Sequence, residues 1–156
     1  MRNILASVYS RPHLVGALRA LDFISVGAAV ISFLFGAYIT FSASALFGAL
    51  YLAVLLIPFL LVSLVRRKIN APRPCELYDF LPSGKRGVSF PSRHVFSAFA
   101  IGTLMLFIFL PLGIMTLVFG VLLGACRAFL GIHFSRDVVA GALIGVVSSL
   151  IGALIL

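Results

Sequence analysis

Phe90-Pro91-Ser92-Arg93-His94-Val95 is the stretch on which the reading of this chain turns. A short polar knot runs directly into apolar residues that continue to about Leu110, with no charged side chain after Arg93. Serine ahead of such a run is a helix-start signal, and the first turn of a helix exposes unpaired N–H groups. The stretch therefore reads as a helix that starts at a polar surface and descends into an apolar medium. Four further apolar runs flank it, at about Leu21–Phe41, Ser44–Val65, Ile114–Cys126 and Asp137 to the C-terminus. About 20 apolar residues suffice to cross a bilayer core of about 30 Å.

Composition supports the same medium. Of 156 residues, 62% are hydrophobic and 10% charged, whereas a soluble domain carries about a quarter charged residues. Mean hydropathy is +1.22. The expected fold is an all-α integral membrane protein, a bundle of about five transmembrane helices in a single domain over residues 1–156. The runs are continuous rather than alternating, which disfavours a β-barrel. Residues 1–20 hold Arg2, Arg11 and Arg19 among apolar residues, with Ile4, Leu5, Val8 and Tyr9 on one face and a break at Arg11-Pro12. That pattern predicts an N-terminal interfacial helix. Asp22, the one charge in the first span, is expected at the headgroups. Ser42-Ala43-Ser44-Ala45 faintly resembles a cleavage site, but the run before it is too long for a signal-peptide core, so a retained span is expected. Pro58 is a candidate kink in the second span. Pro111 and Gly113 predict a tight return, and Gly141, Gly145, Ser148, Ser149 and Gly152 predict close helix packing.

Counting crossings places three polar stretches on one membrane face: Arg66 to Arg93, the helix start at His94, and Arg127 to Asp137. All 12 Lys and Arg residues fall on this face or on the N-terminal segment. The net charge of +8 is thus concentrated between spans, which suits an anionic lipid headgroup better than nucleic acid. The positive-inside rule assigns the face to the cytoplasm. Cys75 and Cys126 have no metal-ligand spacing and are expected as free thiols.

Several of these residues carry chemistry. Arg67, Lys68, Lys85, Arg86 and Arg136 read as headgroup anchors, and His13 as an interfacial residue. Arg66, Arg73 and Arg127 lie among other polar residues, and their planar forks match phosphate oxygens. His133 and Asp137 are four apart, a spacing that lets a carboxylate fix an imidazole tautomer and leave the other nitrogen free to attack. His94 is the candidate general acid and base. Together they suggest phosphoryl transfer through a phosphohistidine without metal or other cofactor. A di-metal route is poor because the acids Asp22, Glu76, Asp79 and Asp137 are scattered.

Arg66-x6-Arg73-Pro74, then Pro91-Ser92-Arg93-His94, then Cys126-Arg127-x5-His133-x3-Asp137 form an ordered series. It resembles the three motifs of the type-2 phosphatidic acid phosphatases, membrane relatives of vanadium haloperoxidases and bacterial acid phosphatases: Lys-x6-Arg-Pro, Pro-Ser-Gly-His and Ser-Arg-x5-His-x3-Asp. With the flanking spans the resemblance covers residues 44–156. It implies that His133 is the nucleophile, Asp137 its orienting carboxylate and His94 the general acid and base. It implies phosphate binding by Arg73 and Arg127, by Arg66 in place of the lysine, and by Ser92 with the backbone N–H of Arg93. Three departures stand out. Arg66 replaces lysine, with Lys68 as a possible substitute. Arg93 replaces glycine, adding a phosphate contact or narrowing the mouth. Cys126 replaces serine, removing a hydroxyl. Family members usually have six spans, against five counted here, and many bacterial members carry the site outside the cytoplasm, opposite to the charge rule.

The expected function is hydrolysis of a lipid phosphate monoester or diphosphate in a prokaryotic cell membrane. Candidate substrates are phosphatidic acid, phosphatidylglycerol phosphate, polyprenyl diphosphates and lipid A phosphates. The alternatives are a non-catalytic phospholipid headgroup binder or transporter, and a purely structural membrane protein.

Overall fold

The computed structural model describes residues 1–82, 87–154 and 156. The anchoring roles expected for Lys85 and Arg86 lie outside the described residues. Among the described residues seven helices follow in order: α1 (Arg2–Tyr9), α2 (Pro12–Ala43), α3 (Ala45–Ile69), α4 (Pro74–Leu77), α5 (Arg93–Ile108), α6 (Leu110–Phe129) and α7 (Ser135–Ala153). No strand occurs among the described residues. Helices α2, α3, α6 and α7 are each long and apolar enough to cross a membrane. At about 1.5 Å per residue, the 16 residues of α5 rise about 24 Å. It is the central helix: Val95, Phe96, Ala98, Ala100, Leu104 and Met105 are all buried, so protein rather than lipid surrounds most of it.

The side chains are sorted as a bilayer requires. The inward stripe of α2 is small or polar, with Ser25, Ala29, Ser32, Gly36 and Thr40 buried, while Phe23, Ile31, Leu34 and Tyr38 point outward. Buried hydroxyls within the spans find partners. Ser32 and Thr116 share a hydrogen bond of 2.5 Å between α2 and α6, and Tyr51 donates to the Phe33 carbonyl at 3.0 Å. This multi-pass membrane bundle hides small groups and shows large apolar ones to lipid.

Helix ends differ from the sequence expectation in one instructive way. The first span was expected from Leu21, yet α2 begins at Pro12 and runs 32 residues. Proline is well placed in the first turn, and nothing after it breaks the helix until Ser44. At about 48 Å the helix is longer than a bilayer core of about 30 Å requires, and its first turns lie at the polar end of the bundle. The Arg11-Pro12 break is real and ends α1. Helix α1 docks on the protein: Leu5 and Val8 are buried, and the Tyr9 hydroxyl donates to the Leu130 carbonyl at 3.1 Å. Ile4, expected on the same face, is exposed.

Close packing of α5 and α7 fixes the site. A Cβ on Gly141 would lie 2.6 Å from the Ser92 carbonyl oxygen, and one on Gly145 would lie 2.5 Å from that of Phe96. Ser149 donates to the Ala100 carbonyl at 2.8 Å. Gly152 instead meets Val54 of α3, and Ser148 bonds within its own helix. The expected turn at Pro111 is a one-residue link at Phe109, and Gly113 approaches the Leu106 backbone within what a Cβ would allow at 2.5 Å.

Candidate active site

At the polar end, a cavity of about 540 Å³ gathers residues from distant parts of the chain. Arg66 comes from the last turn of α3, Arg73 from the loop before α4, Arg93 and His94 from the first turn of α5, Arg127 from the last turn of α6, and His133 from the α6–α7 loop. The three sequence motifs therefore share one space. Ser92 and Asp137 are fully buried beside it, Cys126 is buried behind it, and Lys68 is exposed on the outer side of α3, away from the cavity.

The fold explains why Arg66 differs from its neighbours. Helix α3 continues through Arg66, four residues after buried Val62, so Arg66 points inward and is 5% exposed, while Arg67 and Lys68 turn outward. Its guanidinium donates to the carbonyls of Val88, Ser89 and Pro91. Arg73 donates Nε–H to the Gly87 carbonyl at 3.0 Å and lines the cavity. Glu76 ties this loop by accepting from the backbone N–H groups of Arg73 and Gly87 at 2.8 and 2.7 Å. Gly87 has φ of +61°, a left-handed backbone that glycine adopts without cost.

His133 and Asp137 are not in direct hydrogen-bond contact: Nδ1 and Oδ2 are 3.8 Å apart. Ser89 stands between them, fully buried. Its hydroxyl donates to Asp137 Oδ2 at 2.5 Å and lies 3.2 Å from His133 Nδ1. Since the single hydroxyl proton goes to the carboxylate, Ser89 accepts from Nδ1–H. The imidazole is then fixed with Nε2 unprotonated. Asp137 Oδ2 also accepts from the Phe134 backbone N–H at 3.1 Å, which pins the start of α7. Burial holds His133 below the usual imidazole pKa; the Asp137 carboxylate opposes that shift, and Arg73, Arg127 and Arg66 add to it. The ring is thus neutral near pH 7.

Sequence reading missed Ser89, which belongs to no recognised spacing. It also missed the partner of Asp22. Asp22 pairs with Arg127, with Nε to Oδ1 at 2.9 Å and Nη2 to Oδ2 at 3.2 Å. A lone acid within a span is a signal for a functional partner, and that signal was present. Tyr9, Arg19, Phe23 and Cys75 also line the cavity. Both cysteines are free thiols. Ser92 precedes α5 but makes no side-chain cap, and its buried hydroxyl has no protein partner. His94 has an exposed side chain that opens into the cavity.

The chain is 42% identical over 62 residues to the bacitracin transport permease protein BcrC of Bacillus licheniformis, a match covering 40% of this chain and 30% of that protein. The matched stretch thus spans less than a third of that relative. The crystal structure of Aquifex aeolicus LpxE is similar at a TM-score of 0.72 and 25% identity, over 97% of this chain and 92% of the other. The first transmembrane PAP2 type phosphatidylglycerolphosphate phosphatase from Bacillus subtilis is similar at 0.71 and 26%, over 96% and 81%. These relatives are bacterial, in line with the prokaryotic membrane origin expected. The sequence model of the PAP2 superfamily matches residues 47–156, the part of the chain that supplies every motif residue of the cavity, and the chain belongs to that superfamily.

Proposed function

We propose that the protein is a membrane lipid phosphatase that hydrolyses a phosphate monoester or diphosphate headgroup through a phosphohistidine, without a metal ion. The observation that carries this reading is the buried His133–Ser89–Asp137 relay opening onto a cavity lined by arginines and His94. His133 Nε2 attacks phosphorus, and an N–P bond forms as the bond to the leaving oxygen breaks. His94 gives its proton to that oxygen. His94 then takes a proton from water, whose oxygen displaces His133 and releases phosphate. Arg73 and Arg127 neutralise the equatorial oxygens. The Ser92 hydroxyl gains a partner in a phosphate oxygen, with the N–H groups opening α5 beside it. Arg66 contributes mainly by holding the loop that carries Ser89.

The similar solved proteins are LpxE and a phosphatidylglycerolphosphate phosphatase, and a lipid phosphate is likewise the substrate class of this site. The test is phosphate release by detergent-solubilised protein in excess chelator. Release is expected from the wild type and lost in His133→Ala. Wild-type rates in His133→Ala would rule out the nucleophile, and headgroup binding without turnover by either form would favour a binder or transporter instead.

A further inference from the structure

Arg93 stands where the family pattern has glycine, and the structure gives its side chain a defined seat. The guanidinium lies over the Phe59 ring at 5.7 Å, and Nη1 is 3.4 Å from the Ser63 hydroxyl, both on α3. The cation is thus held across the gap between α5 and α3.

That gap joins two different spaces. On one side is the polar cavity, with His133, Arg73 and Arg127. On the other is an apolar groove of about 300 Å³ among α2, α3, α5 and α6, walled by Val26, Val30, Phe33 and Ile101. Arg93 and His94 are the residues that line both. The groove continues along α3 and α5 into a further apolar space that shares Phe33, Phe59, Ser97 and Ile101. A lipid with its terminal phosphate on His133 and its hydrocarbon in the groove must pass Arg93 at the atoms joining head to tail. A glycerol or sugar bonded directly to the reacting phosphate offers a guanidinium no charge at that position; a second phosphoryl group bonded there does.

We propose that Arg93 makes this protein select lipid diphosphates, holding the inner phosphate while the outer one is transferred. The inference rests on the phosphatase reading above. His133 Nε2 bonds to the outer phosphorus, and its bond to the bridging oxygen breaks. That oxygen leaves on the inner phosphate with a proton from His94, and water then releases the outer phosphate from His133. The products are inorganic phosphate and a lipid monophosphate. Arg93 offsets charge that builds on the inner phosphate as it departs, so its contribution is largest in the transition state.

The experiment compares initial phosphate release from farnesyl diphosphate and farnesyl monophosphate, which share one tail. Wild type is measured beside Arg93→Gly, which restores the family residue, and Arg93→Lys, which keeps a charge without the fork. The expected result is a wild-type preference for the diphosphate in kcat/KM. That preference falls at least about tenfold in Arg93→Gly and less in Arg93→Lys. Equal losses on both substrates mean that Arg93 touches only the transferred phosphate, and overturn the proposal. So does a faster Arg93→Gly enzyme, which means that Arg93 only narrows the mouth. If neither substrate is cleaved by wild type, or cleavage survives His133→Ala, the phosphatase reading itself fails.

Discussion

Ser89→Ala separates the relay described here from a direct His–Asp pair. The substitution removes one hydroxyl and nothing else. With it go the 2.5 Å bond to Asp137 Oδ2 and the 3.2 Å contact with His133 Nδ1. The remaining Nδ1–Oδ2 distance of 3.8 Å is too long for a hydrogen bond, so the imidazole loses its tautomer and its orientation together. A hydrogen bond to a charged group contributes about 1.5–3 kcal/mol. Expressed in the transition state, at 1.36 kcal/mol per tenfold, that is roughly a ten- to 150-fold fall in kcat. Ser89 is not among the residues lining the cavity, so KM is expected to stay within about twofold. The assay is initial-rate phosphate release in detergent, with a thermal melt of each preparation to confirm folding. Ser89→Cys, of similar size and a weaker donor, should lie between wild type and alanine. A kcat within about threefold of wild type, or a loss carried by KM alone, would refute the relay.

Other consequences follow from the same geometry. The depressed pKa of His133 keeps the nucleophile neutral into mild acid, so the acid limb of kcat/KM should fall below pH 6.5, the ordinary imidazole value; a pH–rate profile corrected for ionisation of the substrate checks this. Asp22→Asn should raise KM several-fold and lower the melting temperature, because Arg127 loses its ion-pair partner, and a double-mutant cycle with Arg127→Lys should show coupling of about 1–3 kcal/mol. Gly141→Ala should cost about 1–3 kcal/mol by forcing α7 from the α5 backbone, whereas Gly16→Ala and Gly27→Ala, with nothing within 4 Å of the added Cβ, should be neutral in the same melt.

The sequence made the helical bundle and the motif-bearing face legible because both depend on local signals. Long apolar runs specify spans without knowledge of their neighbours, and the histidine and arginine spacings survive in one dimension. Ser89 was illegible because its meaning lies in contacts with residues 44 and 48 positions away. The partner of Asp22 lies 105 positions along the chain. The start of α2 was misjudged because polar residues were read as the end of a span. A helix that emerges from the bilayer has no reason to stop there. Its extension brings Arg19 to the cavity wall beside Asp22, so the error in one boundary concealed part of the site.

Two of the chain's departures from the family pattern are connected by this geometry. A lysine at position 66 would offer a single point charge, whereas the arginine fork reaches the carbonyls of Val88, Ser89 and Pro91 at once. Those carbonyls belong to the segment that delivers Ser89 to Asp137 and leads into Arg93 at the start of α5. Arg66 therefore orders the nucleophile from behind while Arg93 reaches outward toward α3. On this argument Arg66→Lys should keep the charge of the cavity yet lose kcat in the same way as Ser89→Ala, since both release the imidazole. Combining the two substitutions should then cost little more than either alone. Full additivity, read from the kcat of the double variant, would mean that Arg66 acts on phosphate directly rather than through the loop.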